Sequence, residues 1–412
     1  MLIMCGRNKF SQLGEESNNK NMNGDQIICP FINSKYDCSL ISSYSTYEDR
    51  TIVITKNGEL LALGNNTDRL ISQLLPNRIL KNFTKFVIGG KDEPNFYPIS
   101  AVCGSKYLLY LLSESKENTS KRRLFYTNIG KSYISKKSLF LDIGNSNPVS
   151  LFGGHSNAAA ISEDGSVIFI NDSHVEVNSL PGEDKATSVA CCVNSIFVVG
   201  SNCKVYASKV EKSETKLNFK LVEELEGKNI IEVNGTFNHC FAVSKDGKVF
   251  GYGSNQYGEL GINEESLKDL KEFKEIVSLN NYKIQAAYAG FDHSLFKTES
   301  GKILACGSNY NGQLINGEQC EDFVYLPIET DVEKGATFCV AGFGFSSVFL
   351  GYDPSNSPNR RVIQRVTIKE DEELIKAKLS RALAQLSKAE EEIKRLKQEN
   401  SKLHDENGLL RE

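Results

Sequence analysis

The sequence predicts an all-β fold, a seven-bladed β-propeller closed by its own N-terminal segment and followed by a long C-terminal α-helix that forms a coiled coil. Three observations predict it: a strand-turn-strand unit that recurs seven times, a fragment of that unit left over at the N-terminus, and a heptad pattern confined to residues 370–412. The 412 residues are 40% hydrophobic, with 32 Gly, 9 Pro and no Trp, so glycine is available to punctuate many short strands.

The unit is clearest in two stretches. One reads His239-Cys-Phe-Ala-Val-Ser-Lys-Asp246-Gly247-Lys-Val-Phe-Gly251-Tyr-Gly253-Ser-Asn255-Gln-Tyr-Gly258-Glu-Leu260-Gly261, and the other His293-Ser-Leu-Phe-Lys-Thr-Glu-Ser-Gly301-Lys-Ile-Leu-Ala-Cys-Gly307-Ser-Asn309-Tyr-Asn-Gly312-Gln-Leu314. Each is an apolar strand, a turn ending in Gly and a second apolar strand closed by Gly-Ser-Asn. This is hairpin grammar, because a turn residue with positive φ costs least as glycine and the flanks are rich in β-formers. Eight residues separate His239 from Gly247, and the same spacing places weaker copies at Arg50 with Gly58, Asn157 with Gly165 and Ser195 with Cys203. Tyr107 opens a copy whose turn is expanded over Ser113 to Arg123, and Phe345 opens a last one. Positions 50, 107, 157, 195, 239, 293 and 345 are about 49 residues apart on average, the roughly 40 to 50 residues that a four-stranded blade takes.

The seventh copy stops after its first strand, at Gly351-Tyr-Asp-Pro354. Its missing half stands at the other end of the chain as Met4-Cys-Gly6-Arg-Asn8-Lys-Phe-Ser-Gln12-Leu13-Gly14. Residues near the N-terminus are therefore expected to complete the last blade and leave no free sheet edge. These units resemble the regulator of chromosome condensation repeat, roughly G-x-x-H-x-x-A-L-x-x-D-G-x-V-Y-x-W-G-x-N-x-x-G-Q-L-G. The resemblance covers about 350 residues, with Tyr252, Cys306, Leu63 and Phe169 standing where the family favours Trp. Propellers of this type imply a disc that binds proteins through loops. The best-known members act as exchange factors on a nuclear GTPase by inserting a wedge beside the nucleotide.

Residues 1–353 are assigned to the propeller, 354–369 to a linker and 370–412 to a coiled-coil helix. Thr367 with Glu370 and the acids that follow it make a helix start. Leu379, Leu386, Ile393, Asn400 and Asn407 fall at heptad position a, and Ala382, Ala389, Leu396, Leu403 and Leu410 at d. An Asn at a is the usual device for fixing a parallel two-stranded register, so a parallel homodimer or heterodimer is expected.

Charge is close to balanced, 48 Lys plus Arg against 52 Asp plus Glu, for a net charge of -4. That argues against direct nucleic-acid binding. Eleven cysteines contain no CxxC pair, so neither a zinc module nor a disulfide framework is expected, and their dispersal fits a reducing compartment. No apolar run reaches the roughly 18 residues of a membrane span, and the first residues lack a signal-peptide core. A cytoplasmic location follows, with the nucleus as the other compartment open to it.

Chemical motifs fail on inspection. Gly130-Lys131-Ser132 lacks the earlier Gly of a phosphate loop, where Phe125 stands, and Gly251-Tyr-Gly253 has Gln256 in place of the third Gly of a dinucleotide fingerprint. His239 and His293 share one repeat position, but no Cys or carboxylate repeats with them, so they are read as buried residues hydrogen-bonded to backbone on an inner strand rather than as metal ligands. No catalytic, cofactor-binding or metal-binding residue is assigned, and no enzyme activity is expected. Two loops are candidates for holding a partner: Lys91, Asp92, Glu93, Phe96 and Tyr97 between the first two blades, and Lys116 and Glu117 in the expanded turn. The leading reading is a non-enzymatic interaction scaffold for a protein ligand, dimerised by its tail. Exchange on a small GTPase is the alternative, resting on the resemblance, and ubiquitin-ligase targeting in trans is a third.

Overall fold

A computed structural model of the chain describes residues 2–7, 13, 27–28, 40–72, 75–88, 96–116, 120–128, 137–171, 174–211, 216–263, 267–317, 323–332 and 335–350. The chain divides into two units, Met1–Arg361 and Val362–Glu412, and all described residues belong to the first. Among them stand seven four-stranded antiparallel sheets, so the disc is a seven-bladed propeller. Blades 1 to 6 occupy residues 41–86, 97–140, 148–178, 186–221, 230–275 and 284–329 in order along the chain. The linker and the heptad residues Leu379, Leu386, Ile393, Leu396, Asn400, Leu403, Asn407 and Leu410 lie outside the described residues.

Each of the seven aligned positions opens the second strand of its blade: Arg50–Thr55, Tyr107–Ser113, Asn157–Ser162, Ser195–Gly200, His239–Ser244, His293–Thr298 and Phe345–Leu350. The turn that follows has the expected left-handed residue. Gly58, Gly165, Gly247 and Gly301 lie at φ 78°, 88°, 88° and 80°, and Cys203 is forced to 63° at the same place in blade 4. In blade 2 the expanded turn hangs from a hairpin in which Ser113 faces Arg122.

Blade 7 is assembled from both ends of the ring. Its first two strands are Ala336–Ala341 and Phe345–Leu350, its third is Leu2–Gly6 and its fourth is Ile27–Ile28. Leu2 pairs with Phe349 and Gly6 with Phe345, so the strand that the N-terminal fragment was expected to supply is in place.

First strands of successive blades pack on one another and so surround the axis. Every first strand carries a register shift near its start, for example between Pro148 and Ser150 and between Ile284 and Ala286. Such bulges increase local twist, which the sheets need to radiate from one axis. The core is a set of layers between neighbouring sheets. One joins Leu108 and Tyr110 of blade 2 to Ile52 and Ile54 of blade 1, and another joins Leu2, Met4 and Phe349 to Val53 and Leu61. The ring closes because every sheet has two apolar faces and buries both.

Candidate functional site

Antiparallel strand order sends the first-to-second and third-to-fourth connections to one face of the disc, called here the loop face, and the second-to-third turns to the other. What positions the loop face starts at the aligned residue. His239 is fully buried, and its Nε2 lies 2.9 Å from Ser294 Oγ in the next blade. Ser294 Oγ donates at 2.7 Å to the carbonyl of Glu259, back in blade 5. The serine proton is thus committed, so His239 Nε2 must be the donor and the ring is the neutral Nε2–H tautomer. Burial, helped by the neighbouring His293 and opposed by Asp292, lowers the His239 pKa to about 3, which keeps that form at neutral pH.

Blade 6 repeats the clasp. His293 Nε2 is 2.9 Å from Ser346 Oγ, which donates at 2.7 Å to the Gln313 carbonyl. The sequence had suggested an inner strand and a direct bond to backbone. In the structure both histidines sit on second strands and reach backbone through a serine of the following blade, because an imidazole pointing sideways from a sheet meets its neighbour first.

Degenerate blades do the same job with other chemistry. In blade 2, Tyr107 Oη has one proton to share between the carbonyls of Asn157 and Gly154, which stand at 2.7 and 2.9 Å, and accepts from Gly154 N at 3.1 Å. Asn157 Nδ2 of blade 3 donates to the Cys192 carbonyl at 3.0 Å. Arg50, in blade 1, differs by staying within its own blade: it is 3% exposed and paired with Asp49 at 2.8 Å and Asp68 at 2.9 Å. Burial alone would lower its pKa, but the two carboxylates overcome this and raise it.

The Gly-x-Asn element fixes the third-to-fourth loops. Gly253 lies at φ 95°, where a Cβ would fall 2.0 Å from the Asn238 carbonyl oxygen, and Gly307 at φ 106° has the Asp292 carbonyl at 2.5 Å. That close approach lets Ser254 N and Ser308 N bond to the same two carbonyls at 2.9 and 2.8 Å. Two residues past each glycine a fully buried Asn staples the loop. Asn255 Oδ1 accepts from Leu260 N and Asn309 Oδ1 from Leu314 N, both at 3.0 Å.

On the first-to-second loops, to which these are bonded, an arc of aromatic rings meets across the axis. Tyr47 Oη lies 2.6 Å from His155 Nδ1, and the ring centroids of His155 and Phe237 are 4.9 Å apart, of Phe237 and Phe291 4.2 Å, and of Phe291 and Phe343 4.0 Å. The Arg7 guanidinium stands 5.9 Å from the Phe343 centroid. His155 belongs to blade 3 and Phe237 to blade 5, so the arc spans the axis past blade 4. Backbone bonds from His155 N to the Thr236 carbonyl at 2.8 Å and from Val193 N to the Phe237 carbonyl at 3.0 Å tie the loops together. Tyr47 is buried, while His155, Phe237, Phe291 and Phe343 are half-buried. Burial and then Lys106 lower the His155 pKa, so the arc carries a neutral imidazole at physiological pH.

Sequence reasoning missed the arc, although a signal was there. Phe237, Phe291 and Phe343 each stand two residues ahead of the aligned position, and so does His155. Of the two loops singled out from sequence, Lys91, Asp92, Glu93 and Glu117 lie outside the described residues, as does Gly130-Lys131-Ser132. Phe96 and Tyr97 are half-buried. Phe96 packs on Phe140 at 5.0 Å with Arg123 over both rings, and Tyr97 Oη donates to the Lys56 carbonyl at 2.9 Å. Lys116 is exposed. Among the described residues no group of three or more His, Cys, Asp or Glu could hold a metal ion, and their eight cysteines are free thiols.

Comparison with known proteins agrees with this architecture. Models of the regulator of chromosome condensation repeat match residues 230–259, 284–313 and 246–296, which are blades 5 and 6. Similar curated proteins include the guanine nucleotide exchange factor SRM1 of Saccharomyces cerevisiae, 36% identical over 73 residues, and the serine/threonine-protein kinase Nek9 of Xenopus laevis, 27% identical over 131 residues. These stretches cover 17% and 32% of this chain, and 15% and 14% of those proteins' own lengths. In fold, the chain superposes on Prp20p from Saccharomyces cerevisiae with a TM-score of 0.69 at 15% identity, over 90% of this chain and 94% of that one. With the repeats matched and the ring complete, the chain is a seven-bladed β-propeller that carries regulator of chromosome condensation repeats in blades 5 and 6.

Proposed function

We propose that the chain is a non-enzymatic protein-binding module whose loop face takes a protein ligand, while the C-terminal heptads pair two chains in parallel. The observation that carries this reading is the aromatic arc: rigid, half-buried rings held by backbone-anchored loops at the centre of one face. Rings of this kind bind with little loss of side-chain freedom, and buried aromatic anchors supply most of the energy at protein interfaces. Two joined discs would gain avidity for a partner with more than one binding site. A cytoplasmic or nuclear partner fits the free thiols.

Proteins captured by proximity labelling with the full chain should be lost with Phe237→Ala combined with Phe291→Ala, at unchanged melting temperature. An unchanged capture profile would sink the loop-face reading. For the tail, light scattering should give a dimer for the full chain and a monomer for residues 1–361.

A second reading, nucleotide exchange on a small GTPase, is favoured by the similarity to SRM1 and by the fold shared with Prp20p, described together with its binding to Gsp1p and histones. Release of fluorescent GDP from a panel of small GTPases decides it. No acceleration at micromolar protein removes the reading.

A further inference from the structure

The face opposite the aromatic arc repeats an ion-pairing scheme, to which blade 5 adds a cation beside a cleft. Where the scheme holds, the residue entering the third strand pairs with the end of the fourth: Glu59 with Lys85 at 2.7 Å, Lys248 with Glu275 at 3.1 Å and Lys302 with Glu329 at 2.7 Å. A second pair joins the turn to the residue that leads into the first strand. In blade 6 this is Glu299 with Lys283 at 3.0 Å, and in blade 3 it is Glu163 with the amide of Asn147 at 3.0 Å.

Backbone bonds define the matching position in blade 5. Glu299 N donates to the Lys283 carbonyl, Glu163 N to the Asn147 carbonyl and Lys245 N to the Asn229 carbonyl, at 2.8, 2.9 and 3.0 Å. Blade 5, like blade 1 with Lys56, therefore has an ammonium where blades 3 and 6 have a carboxylate, and in blade 5 it borders a cleft. The Lys245 ammonium has no hydrogen-bond or ion-pair partner among the described residues, and that of Lys228 beside it makes no such contact but adds its charge to those that lower the Glu275 pKa. Both border a cleft of about 370 Å³ that also takes in Asp246, Lys248 and Glu275 above the buried Phe250.

Both carboxylates in the cleft are already engaged. Glu275 accepts from Lys248 and, at 3.0 Å, from Asn280, contacts that lower its pKa. Asp246 accepts from the Ser244 hydroxyl, which likewise holds it ionised. Three ammonium groups against two carboxylates leave one positive charge uncompensated. We propose that this cleft binds a carboxylate, the acidic side chain of a protein partner, with Lys245 and Lys228 supplying the charge. The site is separate from the loop face and stands or falls independently of it.

The test titrates the full chain with a Glu-Glu hexapeptide and with its Gln-Gln counterpart, following the amide resonances of Asn229, Lys245 and Lys248. Saturable shifts with the Glu peptide alone are expected. Lys245→Glu, which installs the residue type that blades 3 and 6 tolerate, should weaken binding about tenfold or more at unchanged melting temperature. Equal binding of both peptides, equal binding by Lys245→Glu, or saturation by a phosphoserine peptide with none by the Glu peptide would each overturn the assignment.

Discussion

Blades 5 to 7 and blades 2 to 4 solve one mechanical problem in two chemical languages. From blade 5 to blade 7 the junctions are His–Ser–carbonyl clasps repeated at nearly identical distances. Between blades 2 and 4 the same position holds a phenol and an amide that reach the neighbour's backbone directly. Repetition of the fold constrains what the residue must do, which is satisfy buried polar groups of the next blade, and leaves open which residue does it. Blade 5 and 6 motifs are recognisable because their clasp needs two partners that co-occur. A direct clasp needs a single side chain and leaves no pattern.

The comparison breaks most readily at the bulge glycines, which blades 2 to 4 lack. Gly253→Ala must place a methyl group 2.0 Å from the Asn238 carbonyl oxygen at φ 95°, and urea unfolding should show a loss of about 2–4 kcal/mol. A more informative contrast sets Ser294→Ala against Tyr107→Phe. The first leaves the His239 Nε2–H without its acceptor and the Glu259 carbonyl with the weak Cys306 thiol donor at 3.4 Å, the second strips a hydroxyl from Gly154 and Asn157, and each should cost about 1–3 kcal/mol. A loss confined to Ser294→Ala would mean that the degenerate blades rely on packing alone.

Acid should expose the difference without a mutation of the clasp serine. An unfolded histidine takes up a proton below a pH of about 6.5, whereas His239 in the fold does so near 3. Its contribution is therefore complete above pH 6.5 and is lost as pH falls from there toward 3. Melting temperatures between pH 7.5 and 5 should fall less steeply in His239→Asn than in the parent, and parallel curves would refute the neutral, desolvated imidazole. The smallest effect is expected at Cys203, held at φ 63° where other blades have glycine. Cys203→Gly should stabilise by up to about 1 kcal/mol.

Much of the ring was legible because strand, turn and glycine signals are local. An Asp-Gly pair needs a left-handed residue wherever it occurs, so Gly165 and Gly247 could be placed from sequence alone. The N-terminal completion of blade 7 was legible too, since Gly6-Arg-Asn8 is a half-motif in search of a partner. What the histidines bond to was hidden, because Ser294 and Ser346 lie 55 and 53 residues away from their partners. The aromatic arc was hidden for a related reason. Phe237, Phe291 and Phe343 read as loop residues one at a time, and only closure of the ring turns a period in sequence into contact across an axis.

That closure also sets an order of events for the growing chain. Leu2–Gly6 pairs with Phe345–Leu350, some 340 positions later, so the earliest strand of the ring waits longest for its neighbour. Blades 1 to 6 are each continuous in sequence and can form as they emerge, giving an open arc with two uncovered sheet faces at its ends. Pairings this distant form late, and uncovered apolar sheets invite association in the meantime. Emergence of Phe345–Leu350 from the ribosome is thus what lets an aggregation-prone arc become a finished disc.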